Sequence, residues 1–346
     1  MGTLWYCLIT AMIAAYVMLD GYDLGAGVIH LGIAKTDAQR RQVLHSIGPL
    51  WDGNEVWLVA LGGTLFFAFP RLYAASFSGF YLALMIVLWL LILRGLAIEF
   101  RSRVEDLVWR SFWDVIFALS SALLAAMFGV ALGNVMRGVA LDNSGGFFLP
   151  LWTNFGVLPP VGALDWYTST VGLFSLLALA HHGALWVALR TEGELQQRAR
   201  KAVRVVWPLV LVAGAAVTVL TFRVQPQLWR NLAQAPWGVF FAALALGGLI
   251  AACVFARRGK DHAAFVSSSA SLFGMLSSAA FGIYPYVLPS VSDPALAFTI
   301  DNTLAGRHGL LVGLAWWVPG MLLATVYVIY VHLKFSGKVD AGAEDH

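Results

Sequence analysis

The chain has 346 residues, 60% of them hydrophobic and 12% charged, with a mean hydropathy of +0.76 and a net charge of +3. This composition excludes a soluble globular domain and points to an all-α, polytopic membrane protein, and so small a net charge offers nothing to nucleic acid. Two cysteines, Cys7 and Cys253, are too few for a disulfide framework, and no Walker A loop or dinucleotide fingerprint is present.

Apolar runs long enough to cross a bilayer predict nine transmembrane helices, over 4–33, 54–69, 79–98, 113–135, 166–189, 205–222, 237–256, 263–288 and 309–333. The first run has no basic stretch before it and acidic residues after it, so it is expected to be a retained helix rather than a cleaved signal. Of the 22 lysines and arginines, 17 fall in loops on one side of this arrangement and five on the other. The excess of basic residues marks the cytoplasmic side, which places the amino terminus outside and the carboxyl terminus in the cytoplasm. Cys7 and Cys253 then lie near opposite faces and cannot be bridged.

A weak internal echo links the first and fifth spans. Each carries a polar couplet in its inner half, Asp20/Asp23 or His181/His182, followed by a Thr-acidic-polar-Arg segment. The organisation expected is a single membrane domain of two four-helix bundles, 1–135 and 166–288, with 309–333 as a ninth helix. The tail from Lys334 to His346 is polar and is expected to be disordered.

Asp20, Asp23 and His30 are three and seven residues apart, so an unbroken helix carries them along one face as a proton relay would. The alternative is that Gly21, Gly25 and Gly27 break the helix and leave both aspartates to backbone donors or loop arginines. Asp52 and Glu55 match the Asp-x-x-Glu pattern of a capping box at the start of the second span. A capping carboxylate at a water-accessible helix start can also collect protons, so the two roles are compatible. Arg94 sits a turn deeper than the Glu99/Arg103 pair at the end of the third span, where it either snorkels or holds a nearby aspartate charged. Trp51 and Trp57 suit interfacial anchoring and packing. His181 and His182 invite a haem reading, but no partner histidine is evident on a facing span at matching depth. Asp293, Asp301 and Asn302 fall in the last outer loop as solvated residues.

The chain resembles subunit II of the bacterial cytochrome bd-type quinol oxidases. The likeness rests on Leu19-Asp-Gly-Tyr-Asp-Leu-Gly25, Ser46-Ile-Gly-Pro-Leu-Trp-Asp-Gly-Asn-Glu-Val-Trp-Leu58, Phe69-Pro-Arg-Leu-Tyr-Ala-Ala-Ser-Phe-Ser-Gly-Phe-Tyr81 and Glu99-Phe-Arg-Ser-Arg103. Gly129-Val-Ala-Leu-Gly-Asn134, Thr191-Glu-Gly-Glu-Leu195 and Tyr284-Pro-Tyr-Val-Leu-Pro-Ser290 extend it along the chain.

The resemblance implies a multi-pass subunit of the bacterial cytoplasmic membrane that binds no metal or haem itself. It implies a partner, subunit I, that carries two b-type haems and one haem d, oxidises quinol and reduces dioxygen to water. It further implies that this chain stabilises that partner and contributes proton or dioxygen access, with membrane lipid, small accessory subunits and a quinone held as structural lipid as further associates. Asp20, Asp23 and Asp52 are the proton-path candidates and Trp57 a dioxygen-route or packing residue, with Glu55, Glu99 and Arg94 as weaker site candidates. Two other classes remain at this stage, a secondary transporter with buried carboxylates and a stand-alone haem cytochrome.

Overall fold

The computed structural model describes residues 1–339, and among these it contains twelve α-helices. They are α1 (Gly2–Ile33), α2 (Asp37–Ile47), α3 (Trp51–Ala68), α4 (Pro70–Gly79), α5 (Tyr81–Phe100), α6 (Leu107–Arg137), α7 (Trp166–Arg190), α8 (Gly193–Val224), α9 (Gln227–Gln234), α10 (Val239–Arg257), α11 (Asp261–Ile283) and α12 (Arg307–Lys334). A short antiparallel hairpin, β1 (Tyr286–Leu288) with β2 (Phe298–Thr299), closes the loop before α12.

Eight helices are long and apolar enough to cross a membrane: α1, α5, α6, α7, α8, α10, α11 and α12. The predicted span 54–69 falls on α3, which is helical over 18 residues but opens on the polar run Trp51-Asp-Gly-Asn-Glu55. Other boundaries moved for identifiable reasons. Helix α6 starts at Leu107, six residues ahead of the predicted start, because the Asp106 carboxylate accepts the Trp109 N–H at 2.8 Å as an N-cap. Helix α8 starts at Gly193 because the stretch expected to be a loop buries Leu195, Ala199 and Val203 at four-residue spacing, and that stripe continues into the span.

Helix α1 runs unbroken through Gly21, Gly25 and Gly27, so the glycines serve packing rather than breakage. A Cβ on Gly25 would overlap the Leu179 carbonyl and the Gly183 backbone, and one on Gly183 would overlap the backbone of Gly25. The two helices therefore cross backbone to backbone at a Gly25/Gly183 contact, in the manner of small-residue interfaces in membranes. Around this crossing α1 also packs on α3, α6 and α11, while α6 packs between α5 and α7, α7 against α8, and α10 against α11. The half of α1 from Asp20 onward is almost wholly buried. By contrast, α12 buries only Leu310 among its residues and rests on the rest of the chain along one side.

At the opposite end from that half, the last residue of α6, Arg137, pairs with Asp165. It also donates to the Gly162 carbonyl at 3.0 Å, while Asp165 caps α7 through the Tyr167 and Thr168 N–H groups. In the loop before α12, Asn302 proves structural: its carbonyl accepts from Arg71 and its amide bonds Thr299 and Ala297.

The described start of the tail departs from the disorder expected of it. The Val339 N–H donates to the Arg190 carbonyl at 2.8 Å, Gln42 donates to the Val339 carbonyl at 3.0 Å, and Lys338 Nζ donates to the Thr191 carbonyl at 2.9 Å. Unpaired backbone groups at the end of α7 are satisfied by this segment, which holds it down. The remainder of the predicted disordered tail, 340–346, lies outside the described residues. Cys7 and Cys253 are both free thiols.

Candidate functional site

Four helix segments bring their polar residues to one place beside the buried half of α1. Arg94 of α5 points one guanidinium nitrogen, Nη2, at two carboxylates: Asp20 of α1 at 2.6 Å and Glu55 of α3 at 2.5 Å. The second oxygen of Asp20 accepts from the Tyr16 hydroxyl, one turn earlier, at 2.8 Å. Arg94 thus pairs with carboxylates of the first two predicted spans rather than snorkelling. The Arg94 and Asp20 side chains are wholly buried, whereas that of Glu55 is 25% exposed.

Asp23 lies one turn further along α1 and is held by a residue the sequence reading did not single out. Asn54 of α3 donates from Nδ2 to the Asp23 carboxylate at 2.7 Å and to the Tyr22 hydroxyl at 2.8 Å. Tyr22 in turn donates to His332 Nε2 of α12 at 3.1 Å. The direction follows from the other ring nitrogen, which lies 2.8 Å from the Val328 carbonyl and must carry the hydrogen there. Among the described residues, Asp23 Oδ1 and the Arg94 Nε and Nη1 atoms are buried without a hydrogen-bond partner. Two carboxyls therefore pair with a single guanidinium, and a third, Asp23, lies one turn away on α1.

Asp52 differs from the expectation. Its carboxylate is exposed in the first turn of α3, the N-cap is Leu50, and no side-chain cap bond forms. The capping box fails because the helix begins at Trp51, which puts Asp52 inside the first turn, and because Glu55 is drawn to Arg94 instead. Glu99 is exposed and meets only Arg103, at 3.8 Å, so the structure does not bring it to the cluster. Trp57 is half-buried two residues beyond Glu55, about half a turn round the helix.

His30 shares the face of Asp20 and Asp23 but engages a different partner. Its Nε2 lies 2.8 Å from Asp114 of α6, a carboxylate that also receives Arg101 Nε at 2.6 Å and Arg40 Nη1 at 2.9 Å. Asp37 of α2 joins through Arg101 and Arg110, at 2.8 and 3.0 Å. This ion network ties α1, α2, α6 and the turn after α5 together. His30 thus faces Asp114 rather than the Arg94 cluster that holds Asp20.

Of the His181/His182 couplet, His181 Nε2 is buried without a partner among the described residues, whereas His182 is fully engaged. His182 donates from Nε2 to the Met18 carbonyl at 3.0 Å, accepts at Nδ1 from Ser268 at 3.0 Å and stacks on Phe265, which leaves it no free lone pair. Among the described residues no group of three or more His, Cys, Asp or Glu side chains is arranged to hold a metal ion.

The family model for cytochrome bd terminal oxidase subunit II matches residues 1–335. The chain belongs to this family. Its relatives include the probable cytochrome oxidase subunit 2 of Haemophilus influenzae, 30% identical over 99% of this chain and 96% of that protein. The cytochrome bd-I ubiquinol oxidase subunit 2 of Escherichia coli K12 is 30% identical over 97% of this chain and 94% of its own length. The fold matches a chain of the bd oxidase from Geobacillus thermodenitrificans with a TM-score of 0.73, covering 96% of this chain and 98% of that one at 18% identity.

As a subunit II, the chain is an integral membrane component of an oxidoreductase complex, a cytochrome bd oxidase, and works with a partner subunit I in which the family's haem resides. The transporter and stand-alone cytochrome alternatives fall away.

Within this subunit II, Tyr16, Tyr22, Asn54, His332, Asp114 and Arg101 were not picked out from sequence as site residues. For Asp114 a signal existed, since it lies inside an apolar run where a charge is costly. The link through Tyr22 is open to test. Tyr22→Phe should leave the His332 nitrogen without a partner and the second Asn54 hydrogen with only the Leu19 carbonyl at 3.4 Å, at a cost of about 1–3 kcal/mol. Thermal melting of the complex should show a lowered midpoint with normal haem content.

Proposed function

We propose that this chain is the haem-free subunit that stabilises subunit I and passes protons from the cytoplasm toward the partner's dioxygen-reducing centre during quinol oxidation. The observation that carries the reading is the Glu55–Arg94–Asp20 triad, in which a partly open carboxylate and a closed one share a single guanidinium nitrogen. With Asp23 beside them, carboxyl groups outnumber cationic charge, so the cluster has room for an exchangeable proton. Exposed Asp52, three residues before Glu55, is placed to collect protons at the entrance. Trp57, on the same helix, is kept in this reading as a dioxygen-route or packing residue.

The same reading takes α3 as a ninth span and the chain as two four-helix halves, 1–135 and 166–288, plus α12. The amino terminus lies outside, and the membrane is the bacterial cytoplasmic membrane. The distribution of basic loop residues supports this orientation. The partner carries two b-type haems and one haem d, and quinol reacts there rather than here. The names of the relatives, ubiquinol oxidase subunits among them, support quinol as the electron donor of the complex.

Glu55→Gln tests the reading. Glutamine keeps the length of the side chain and can still accept from Arg94, but it cannot exchange a proton. The complex should assemble with normal haem content and consume oxygen with quinol at a rate lowered by about a hundredfold, the lower end of what proton-transfer groups contribute. Asp52→Asn, further out and exposed, should slow it less. Full turnover of the Glu55→Gln complex would refute the proton role while leaving family membership untouched.

A further inference from the structure

At the end of the molecule where α7 and α12 finish, a cleft of about 470 Å³ opens between α2, the last residue of α7 and the segment after α12. Its lining combines three basic residues, His45, Arg190 and Lys338, with an apolar wall that includes Pro49, Phe335 and Val339. Arg190 is the unusual member. It is only 6% exposed, its guanidinium lies over the Trp186 ring at 5.4 Å, and its Nε has no hydrogen-bond partner among the described residues. No described carboxylate pairs with it, although every other arginine with so little exposure, Arg94, Arg101 and Arg137, is matched to at least one.

Lys338 spends two of its three hydrogens on the Ala188 and Thr191 carbonyls, at 3.4 and 2.9 Å, and it likewise meets no described carboxylate. Those two bonds fix the ammonium at the rim of the cleft beside Arg190. A buried guanidinium with a spare edge and a positioned ammonium suit the oxygens of a phosphate, which Arg binds as a fork and Lys as a point charge. The apolar wall gives the choice between sources. Free phosphate would make no use of Pro49, Phe335 and Val339, whereas an amphiphile would cover them and lay its chains along α12, whose apolar stretch is exposed on the surface of the chain.

We propose that this cleft is a binding site for the phosphate headgroup of an anionic phospholipid, held by Arg190 and Lys338. The lipid would fasten the end of α12 to α2 and α7, at a corner where α12 has few contacts of its own.

Native mass spectrometry of the detergent-purified two-subunit complex, titrated with phosphatidylglycerol, tests this directly. The intact complex should retain one phosphatidylglycerol under conditions that strip the others, in preference to phosphatidylcholine. Both Arg190→Gln and Lys338→Gln should weaken that retention about tenfold or more, the loss of one charge-assisted contact. Lys338 is exposed, so its variant stays informative if the arginine variant assembles poorly. Arg204→Gln, on an exposed face of α8, should retain the lipid as the parent does. Three results would overturn the proposal: unchanged retention in both variants, complete displacement of the lipid by inorganic phosphate, or binding that appears only after Asp340, Glu344 and Asp345 are neutralised. The last would mean that the chain's own acidic end takes the cleft.

Discussion

Arg94→Gln is expected to abolish assembly of the oxidase, while Arg103→Gln leaves it nearly intact. Arg94 is wholly buried and its Nη2 serves both Asp20 and Glu55, so its loss strands the Asp20 carboxylate in a dry site with only the Tyr16 hydroxyl. Breaking a buried ion pair by removing one partner typically costs about 3–5 kcal/mol. That is a large share of the roughly 5–15 kcal/mol by which folded domains are stable. Arg103 meets Glu99 at 3.8 Å with both side chains at least half exposed, a pair of the kind worth about 0–1 kcal/mol. The yield of two-subunit complex and its haem spectrum after co-expression check both variants. Adding Asp20→Asn to Arg94→Gln should restore part of the lost yield, because the double variant leaves no unpaired charge at Asp20. Failure of that rescue would mean that packing, not charge, sets the requirement.

How much of this was legible beforehand follows from what each signal measures. Hydropathy averages over a whole segment, so it located every long helix, including α3, whose polar first turn is what sets it apart from the eight clearly apolar spans. Ends were harder, because they depend on single side chains such as the Asp106 cap of α6, or on a buried stripe such as that of α8. The cost of charge in hydrocarbon singled out Asp20, Asp23 and Arg94, and the chain places Arg94 against Asp20. Which residue of the run Trp51-Asp-Gly-Asn-Glu55 faces α1 could not be read, since that depends on how α3 is rotated about its own axis. The rotation buries neutral Asn54 and turns Asp52 outward. A hydropathy pattern on one helix says nothing about rotation when the neighbours are themselves apolar. The role of His332 is hidden from sequence for the same reason, because it depends on α12 lying against Tyr22 across more than three hundred residues of sequence.

Asp23→Asn should separate proton transfer from structure more cleanly than any other substitution in the cluster. The Asp23 carboxyl is buried, accepts one bond from Asn54 at 2.7 Å through Oδ2, and has no described partner for Oδ1. An asparagine fills the same volume, and its amide oxygen can take the Asn54 bond, so the contact between α1 and α3 persists. What disappears is the ability to gain and lose a proton. Replacement by a neutral side chain also removes one of the three carboxyls of the cluster, which relieves repulsion rather than adding it. Assembly should therefore be retained, and any large loss of rate belongs to the chemistry.

The decisive measurement is the rate of quinol-dependent oxygen consumption by the purified Asp23→Asn complex, normalised to haem content and followed from mildly acidic to alkaline pH. The account predicts a normal haem spectrum with turnover reduced about a hundredfold, the lower range for loss of a proton-transfer group, and most severely at high pH, where protons are scarcest. Turnover equal to that of the parent complex at every pH would contradict it and leave Asp20, Asp23, Glu55 and Arg94 as a purely structural brace.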